Sequence, residues 1–410
     1  MSWTPAEIAF WASVCAIAYT YVVYPALLFV MAVARQSARD LLYLFRRRDR
    51  RSAAEDERWP TVALLVAAYN EENVIEAKLR NTLEVRYPTG RWELLLGLDA
   101  PTDSTQERAH AGSVPAMRII SFPARRGKAA VLNDLASATT ADILVFSDAN
   151  TMLARDCLCR LVRHFRNPQV GAVCGELRLV SPDGRQEMES LYWRYEVALK
   201  FLENRLNCVL GANGAVYAVR RSLFRPMANW IVEDFQLPME IRFEGLRVVY
   251  DPEALATEEA APSFDAEFRR KVRIGAGAYQ TLLGNPRFLN PLRGLPAFAY
   301  FSHKVVRWLA PLCLAAAFIS NAALLGHTMY AAIFAGQCVF YLMAAAGQLQ
   351  ERRGRRAGTF AAPLYFSAMN LALLLGAVRF ISGRQSNVWT VTPRSKASVA
   401  LLLPRGKVHD

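Results

Sequence analysis

From Ile8 to Ala34 the chain carries no charged side chain. A helix needs about 20 apolar residues to cross the hydrocarbon of a bilayer, so this stretch is long enough to span one. A cleaved signal peptide would need a basic leading region, a short apolar core and a small-residue cleavage site. The only charge ahead of the stretch is Glu7, so the reading is a retained anchor. Arg35, Arg39, Arg46, Arg47, Arg48, Arg50 and Arg51 follow closely. The positive-inside rule places that flank in the cytoplasm and the N-terminus outside. A basic run can also hold nucleic acid. Beside a membrane span, attraction to anionic lipid accounts for it, and no nucleic-acid partner is expected.

Apolar residues make up 53% of the 410-residue chain, and the excess is concentrated in residues 8–34 and beyond residue 297. Trp308–Leu325 and Met329–Leu349 are joined by Gly326-His327-Thr328 and read as a transmembrane hairpin. Arg352, Arg353, Arg355 and Arg356 return the chain to the cytoplasm. Phe360–Ile381 is long enough to cross again, yet the tail beyond it carries Arg384, Arg394, Lys396, Arg405 and Lys407. Crossing and a kinked interfacial course, to which Pro363 and Asn370 lend themselves, both stay open. Residues 288–305 mix aromatics with Arg293, His303 and Lys304, as an interfacial helix does. The expected organisation is an anchor over 1–34, a basic linker over 35–59 and a cytoplasmic domain over 60–285. An interfacial segment over 286–307, a membrane region over 308–382 and a basic tail over 383–410 complete it.

The seven cysteines form no CxxC pair, and the five histidines show no HExxH spacing. A zinc site and a zinc hydrolase are therefore disfavoured. Free thiols suit a reducing compartment.

Between the apolar ends, short apolar runs alternate with amphipathic stretches. Thr61–Ala68, Glu93–Leu98, Met117–Phe122, Asp142–Ser147 and Gly171–Cys174 read as strands buried on both faces. Helices are expected near 71–84, 103–111, 128–138 and 155–166. This alternation predicts an α/β fold with a doubly wound, mostly parallel sheet. Ligands of such sheets bind beyond the carboxyl ends of the strands. Three strands end in or just before polar residues, Tyr69, Asp99 and Asp148, so these should share one edge. Further along, 187–206 reads as an amphipathic helix with aromatics on its apolar side. Gly211-Ala212-Asn213-Gly214 reads as a tight loop, and Glu233-Asp234 as the start of a helix.

These runs resemble the membrane-integrated branch of the family 2 glycosyltransferases, which includes the cellulose, hyaluronan and poly-N-acetylglucosamine synthases. The resemblance covers about residues 60–285 and, more loosely, the membrane segments that follow. It implies a GT-A-like nucleotide-sugar domain and an integral protein of a bacterial inner or plasma membrane. Ala67, Tyr69 and Glu71 stand where the family receives the nucleotide base. Asp99 matches the carboxylate expected to accept the uracil N–H, although Asp99-Ala100-Pro101-Thr102-Asp103 lacks the family's glycine. The resemblance places Lys128, in Arg126-Gly127-Lys128, against the diphosphate of a UDP-sugar. Asp148-Ala149-Asn150 matches the Asp-x-Asp element that holds Mg²⁺ or Mn²⁺, with an amide in place of the second carboxylate. Hard cations prefer oxygen ligands, and magnesium takes one or two carboxylates plus phosphates.

Glu233 and Asp234 match the catalytic Glu-Asp element, in which Asp234 is the expected general base. Arg273 matches the arginine of the family's Gln-x-x-Arg-Trp run and would pair with diphosphate oxygens, while Arg270 and Ile274 replace the glutamine and tryptophan. Asn213, Gly214 and Trp193 are candidates for the acceptor side. Trp389, in Val388–Arg394, resembles a gating segment that faces the active site. Three functions follow. The first is a synthase that elongates a β-linked surface polysaccharide or exopolysaccharide. The second adds one hexose or N-acetylhexosamine to a lipid-linked acceptor, and the third is a non-catalytic scaffold. Expected partners are the UDP-sugar, a glycan or lipid-linked acceptor, and membrane lipids.

Overall fold

The computed structural model describes residues 3–46, 59–113, 117–180, 187–227, 232–261 and 263–383. They fall into two compact units. The first, built on residues 35–184 and 207–262, is α/β. Its strands are β1 (Val62–Ala68), β2 (Trp92–Asp99), β3 (Met117–Phe122), β4 (Ile143–Asp148), β5 (Thr151–Leu153), β6 (Val170–Val180), β7 (Tyr217–Arg220) and β8 (Arg247–Glu259). They form one sheet in the order β3-β2-β1-β4-β7-β6-β8-β5. β3, β2, β1 and β4 are mutually parallel, as the apolar runs predict. All seven residues of β1 are buried, because a parallel strand is covered on both faces. β7 runs antiparallel between β4 and β6, and β5 antiparallel to β8. These three short or late strands lack the uninterrupted apolar runs that mark the others.

The parallel register brings the polar strand ends together. Ala67 lies opposite Asp148 on one side and Gly97 on the other. Tyr69, Asp99 and Asp148 therefore stand at the same edge. Gly97 also sets the height of the helix Lys128–Ser137. A Cβ there would come within 2.4 Å of Val131 Cγ1, so only a glycine lets that helix lie so close to β2.

The turns beyond β1 and β2 are cross-linked. Asn70 has φ +53° and Ala100 φ +50°. The Thr102 N–H donates to Asn70 Oδ1 at 2.8 Å, and Asn70 Nδ2 donates to Thr102 Oγ1 at 3.0 Å. Asparagine tolerates this left-handed backbone; alanine does so only under strain of roughly 1–2 kcal/mol. Ala100 stands where the resemblance drawn from the sequence expects a glycine.

The second unit, residues 1–34, 185–206 and 263–385, is helical in its described residues. Thr4 caps the first helix with a reciprocal bond to Glu7, and Pro5 opens it. Among the described residues, Pro5–Phe45, Leu295–Ala322, Thr328–Arg352 and Gly358–Ile381 are long and apolar enough to cross a membrane. Residues 295–307, read as part of an interfacial segment, are instead continuous with the apolar helix that follows. π turns interrupt two of these helices at Tyr19–Val23 and Tyr300–Val305. They meet: Tyr19 Oη lies 2.7 Å from Ser302 Oγ, and Thr20 Oγ1 donates to the Ser302 carbonyl at 3.0 Å.

The helix Phe264–Gly284 lies backbone to backbone against Ala361–Ile381. A Cβ on Gly376 would meet the Ala276 nitrogen at 2.7 Å and the Val272 carbonyl at 2.8 Å. Small residues allow such approach where lipid removes the hydrophobic drive for packing. A buried polar network ties Glu187–Leu206 into the same unit. His303 Nδ1 is 2.6 Å from Glu203 Oε1, Tyr24 donates to that carboxylate at 3.1 Å, and Arg307 pairs with Glu196.

Two outcomes follow for purified protein in detergent. Ala100→Gly should raise the unfolding midpoint, by about 0.5–1 kcal/mol after the entropy of the extra glycine is counted. An unchanged or lower midpoint contradicts the strain at that turn. Gly376→Leu should lower stability by about 1–3 kcal/mol or more, as overpacking does; an unchanged midpoint contradicts the close helix contact.

Candidate active site

Five of the sequence-predicted residues meet at the carboxyl edge of the sheet. Lys128, the first residue of its helix, points its ammonium at Asp148 Oδ1, 2.7 Å away, and at Glu233 Oε1, 2.6 Å away. Gly214 closes the group. A Cβ built there would lie 3.2 Å from Lys128 Nζ, 3.5 Å from Asp234 Oδ2 and 3.6 Å from Asp148 Oδ2. Gly214 thus serves the site by occupying no space, and its backbone amide favours the ionised form of Asp234.

Electrostatics follow from this crowding. Burial opposes the charge on Lys128, but the carboxylates of Asp148, Glu233 and Asp234 outweigh it and hold the ammonium above the usual lysine range. Burial, aided by Glu233, pushes Asp234 up to about 6 against the pull of Lys128. Three carboxylates around one ammonium leave an excess of negative charge. Asp148 and the Asn150 amide oxygen are hard donors of the kind a magnesium or manganese ion takes together with phosphate oxygens. Among the described residues no three His, Cys, Asp or Glu side chains form a metal cage. A site completed by the substrate's own phosphates needs none, so the residues present fit such an ion.

Asn150 is not loose. Its Nδ2 donates to Glu258 Oε1 at 2.9 Å, so the amide's oxygen is turned away from that carboxylate. Glu258 lies on β8 directly opposite Thr151. Its carboxylate restores near Asn150 a negative charge that Asp-x-Asp proteins carry in the turn itself. The spacing of 108 residues between Asn150 and Glu258 hides the link from sequence.

The base side differs from its expectation in detail. Asp99 is fully buried, and its oxygens accept the N–H groups of Arg126 at 2.7 Å and Gly127 at 3.0 Å. Its visible work is to anchor the loop that presents Lys128. Gly127, at φ +90°, makes that sharp entry to the helix possible. The same loop lays the Arg125 guanidinium 3.7 Å over the Tyr69 ring, a cation–π contact with no motif to announce it. Ala67 is buried at the strand end, and the Glu71 N–H donates to Thr105 Oγ1 at 2.7 Å.

Asn213 is committed to the scaffold. Its amide donates to the Gly175 carbonyl at 3.2 Å and accepts the Val216 N–H at 3.2 Å. These bonds support the loop that carries Gly214. Arg273 and Trp193 belong to the helical unit, on Phe264–Gly284 and Glu187–Leu206. Trp389 lies outside the described residues.

Lys78, on the helix Ile75–Glu84, was not singled out by sequence. It is fully buried, and burial pushes its pKa down to about 7 against the pull of Asp148.

Comparison with known proteins accords with this geometry. Residues 63–227 match the model of glycosyl transferase family 2. A beta-monoglucosyldiacylglycerol synthase of a Nostoc species is 27% identical over 236 residues, 55% of this chain and 50% of that protein. A poly-beta-1,6-N-acetyl-D-glucosamine synthase of Staphylococcus aureus is 23% identical over 230 residues, 54% of this chain and 55% of that one. The match thus spans about half the length of these relatives. A mannosyltransferase from Pyrobaculum calidifontis, solved with GDP-Man and Mn²⁺, shares the fold with a TM-score of 0.65. It is 23% identical, and the match covers 87% of this chain and 99% of that one. The similarity to glycosyl transferase family 2 thus lies over residues 63–227, largely in the α/β unit of the chain.

Proposed function

We propose that the protein is an inverting, metal-assisted glycosyltransferase that moves a hexose or N-acetylhexosamine from a UDP-sugar to a glycan acceptor, building a β-linked surface polysaccharide. The observation that carries this reading is Asp234: a carboxylate set among Lys128, Asp148 and Gly214 and raised to about 6. A base of that strength is ionised at neutral pH and still accepts a proton readily.

In this reading the acceptor hydroxyl gives its proton to Asp234 while its oxygen attacks the anomeric carbon. The bond from that carbon to the diphosphate oxygen breaks on the opposite face, so an α-linked donor yields a β-glycoside. Lys128 turns from its carboxylates to the diphosphate. Asp148 and Asn150 would hold a Mg²⁺ or Mn²⁺ ion, which offsets charge on the departing UDP. Tyr69, Arg125 and Glu71 border the place for the base. The basic flank over residues 35–51 supports a cytoplasmic catalytic unit with the N-terminus outside. The four apolar helices suit membrane integration.

A second reading, transfer of one sugar to a lipid-linked acceptor, draws on Arg270. Its guanidinium is held by Glu267 at 2.7 and 3.0 Å, where polymer synthases have a glutamine. The Nostoc relative, named for a glucosyl diacylglycerol, points the same way.

Purified protein incubated with radiolabelled UDP-sugars and Mn²⁺ should release UDP and label a product whose size separates polymer from glycolipid. Absence of transfer with every donor would overturn both readings. Asp234→Asn should lower kcat by about 10²–10⁴-fold while UDP still binds. Because Asp234 is raised in the folded state, its ionisation disfavours folding as pH rises through about 4 to 6. The Asn variant should therefore be at least as stable as the parent at pH 7. Retained turnover would remove Asp234 as the base. The kcat/KM of the parent should fall as pH drops below about 6; a flat profile from pH 5 to 8 contradicts the assignment. Asp148→Ala should abolish the metal-dependent part of UDP binding, measured by calorimetry, and an unaltered metal effect would count against its role.

A further inference from the structure

Lys78 is 0% exposed. Its Nζ donates to Ser147 Oγ at 2.8 Å and to the Thr151 carbonyl at 2.6 Å. Among the described residues no carboxylate forms an ion pair with it. Removing an ammonium from water without an ionic partner is expensive, and proteins seldom keep such a group for packing alone. The two acceptors are not arbitrary. Ser147 precedes Asp148 on β4, and Thr151 opens β5 directly after Asn150. Lys78 therefore spans the whole Asp148-Ala149-Asn150 turn from behind.

The grip extends one helical turn further. Asn81 Nδ2 donates to the Leu153 carbonyl at 2.9 Å, and the Leu153 N–H donates to Asn81 Oδ1 at 2.7 Å. Asn81 alone suffices to dock β5 on this helix, since its amide satisfies both main-chain groups of Leu153. The lysine adds a charge and a fixed span between the ends of the turn. On the opposite flank, Glu258 fixes the Asn150 amide.

We propose that Lys78 is a positioning residue, whose buried ammonium staples Ser147 to Thr151 and so presets Asp148 and Asn150 to receive a divalent cation with its diphosphate. The inference rests on the UDP-sugar reading above. Partners behind the ligands of a metal site are commonly worth ten- to a hundredfold in metal affinity. Lys78 touches neither donor nor acceptor, so its loss acts through the turn.

The test uses the full chain in detergent and titrates UDP by calorimetry with and without Mn²⁺. The parent should bind UDP more tightly with Mn²⁺, and Asp148→Ala should erase that gain. Lys78→Met keeps the length and removes the charge. It should leave metal-free UDP affinity unchanged and cut the Mn²⁺ gain by roughly tenfold or more. Ser147→Ala keeps the lysine and removes one acceptor, and it serves if the Met variant does not fold. It should reduce the gain by a smaller factor, again at constant metal-free affinity. A full Mn²⁺ gain in either folded variant overturns the staple. An equal loss with and without metal also overturns it, because that is what general damage to the domain produces. A parent with no Mn²⁺ gain at all removes the donor-site reading and this inference with it, which separates the two failures.

Discussion

At the carboxyl edge of the sheet one ammonium is shared among three carboxylates. Lys128 reaches Asp148 and Glu233 directly, with Asp234 beside them. Like charges this close would repel strongly in a poorly solvated setting, so each depends on the cation between them. The surrounding fold can be understood as the apparatus that holds that cation in place. Gly97 lets its helix approach the sheet, Asp99 anchors the loop before it, and Gly214 leaves it room. The balance is incomplete, and the remaining negative charge suits the divalent ion of the proposed mechanism.

The same arrangement separates holding from reacting. Glu233 is locked to Lys128, whereas Asp234 is pushed toward neutrality by its surroundings. Two adjacent carboxylates at the start of one helix thereby acquire different surroundings, and the proposed mechanism gives them different duties. Environment makes the distinction, since chain chemistry alone would have them nearly alike.

Much of this was legible in the chain. Uninterrupted apolar runs ending at Ala68, Leu98 and Ser147 announced parallel strands, and the residues after them announced the edge where the site lies. Motif order singles out Lys128, Asp148, Glu233 and Asp234, and the structure brings these four side chains together. What escaped notice was what depends on distant pairing. Lys78 sits in a helical pattern where a lysine normally meets water, and only the packing of β5 buries it. Asn213 donates to the Gly175 carbonyl, a contact that nothing near it in sequence marks. Residues 288–305 read as interfacial because Arg293, His303 and Lys304 stand among aromatics. His303 and Lys304, with Arg307 just beyond them, face Glu196 and Glu203, about a hundred residues earlier. The strain at Ala100 has no signature beyond the missing glycine.

That last network also bears on how the protein is made. An arginine near the middle of a helix resists entry into lipid by about 2.5–3.5 kcal/mol on insertion scales. Arg307 and His303 lie on an apolar helix, Leu295–Ala322, that emerges from the ribosome well after Glu196 and Glu203. The acidic helix is thus already present when the basic one arrives. Synthesis in this order supplies the counter-charges before they are needed, and a chain rearranged to reverse it would offer the bilayer an unpaired guanidinium.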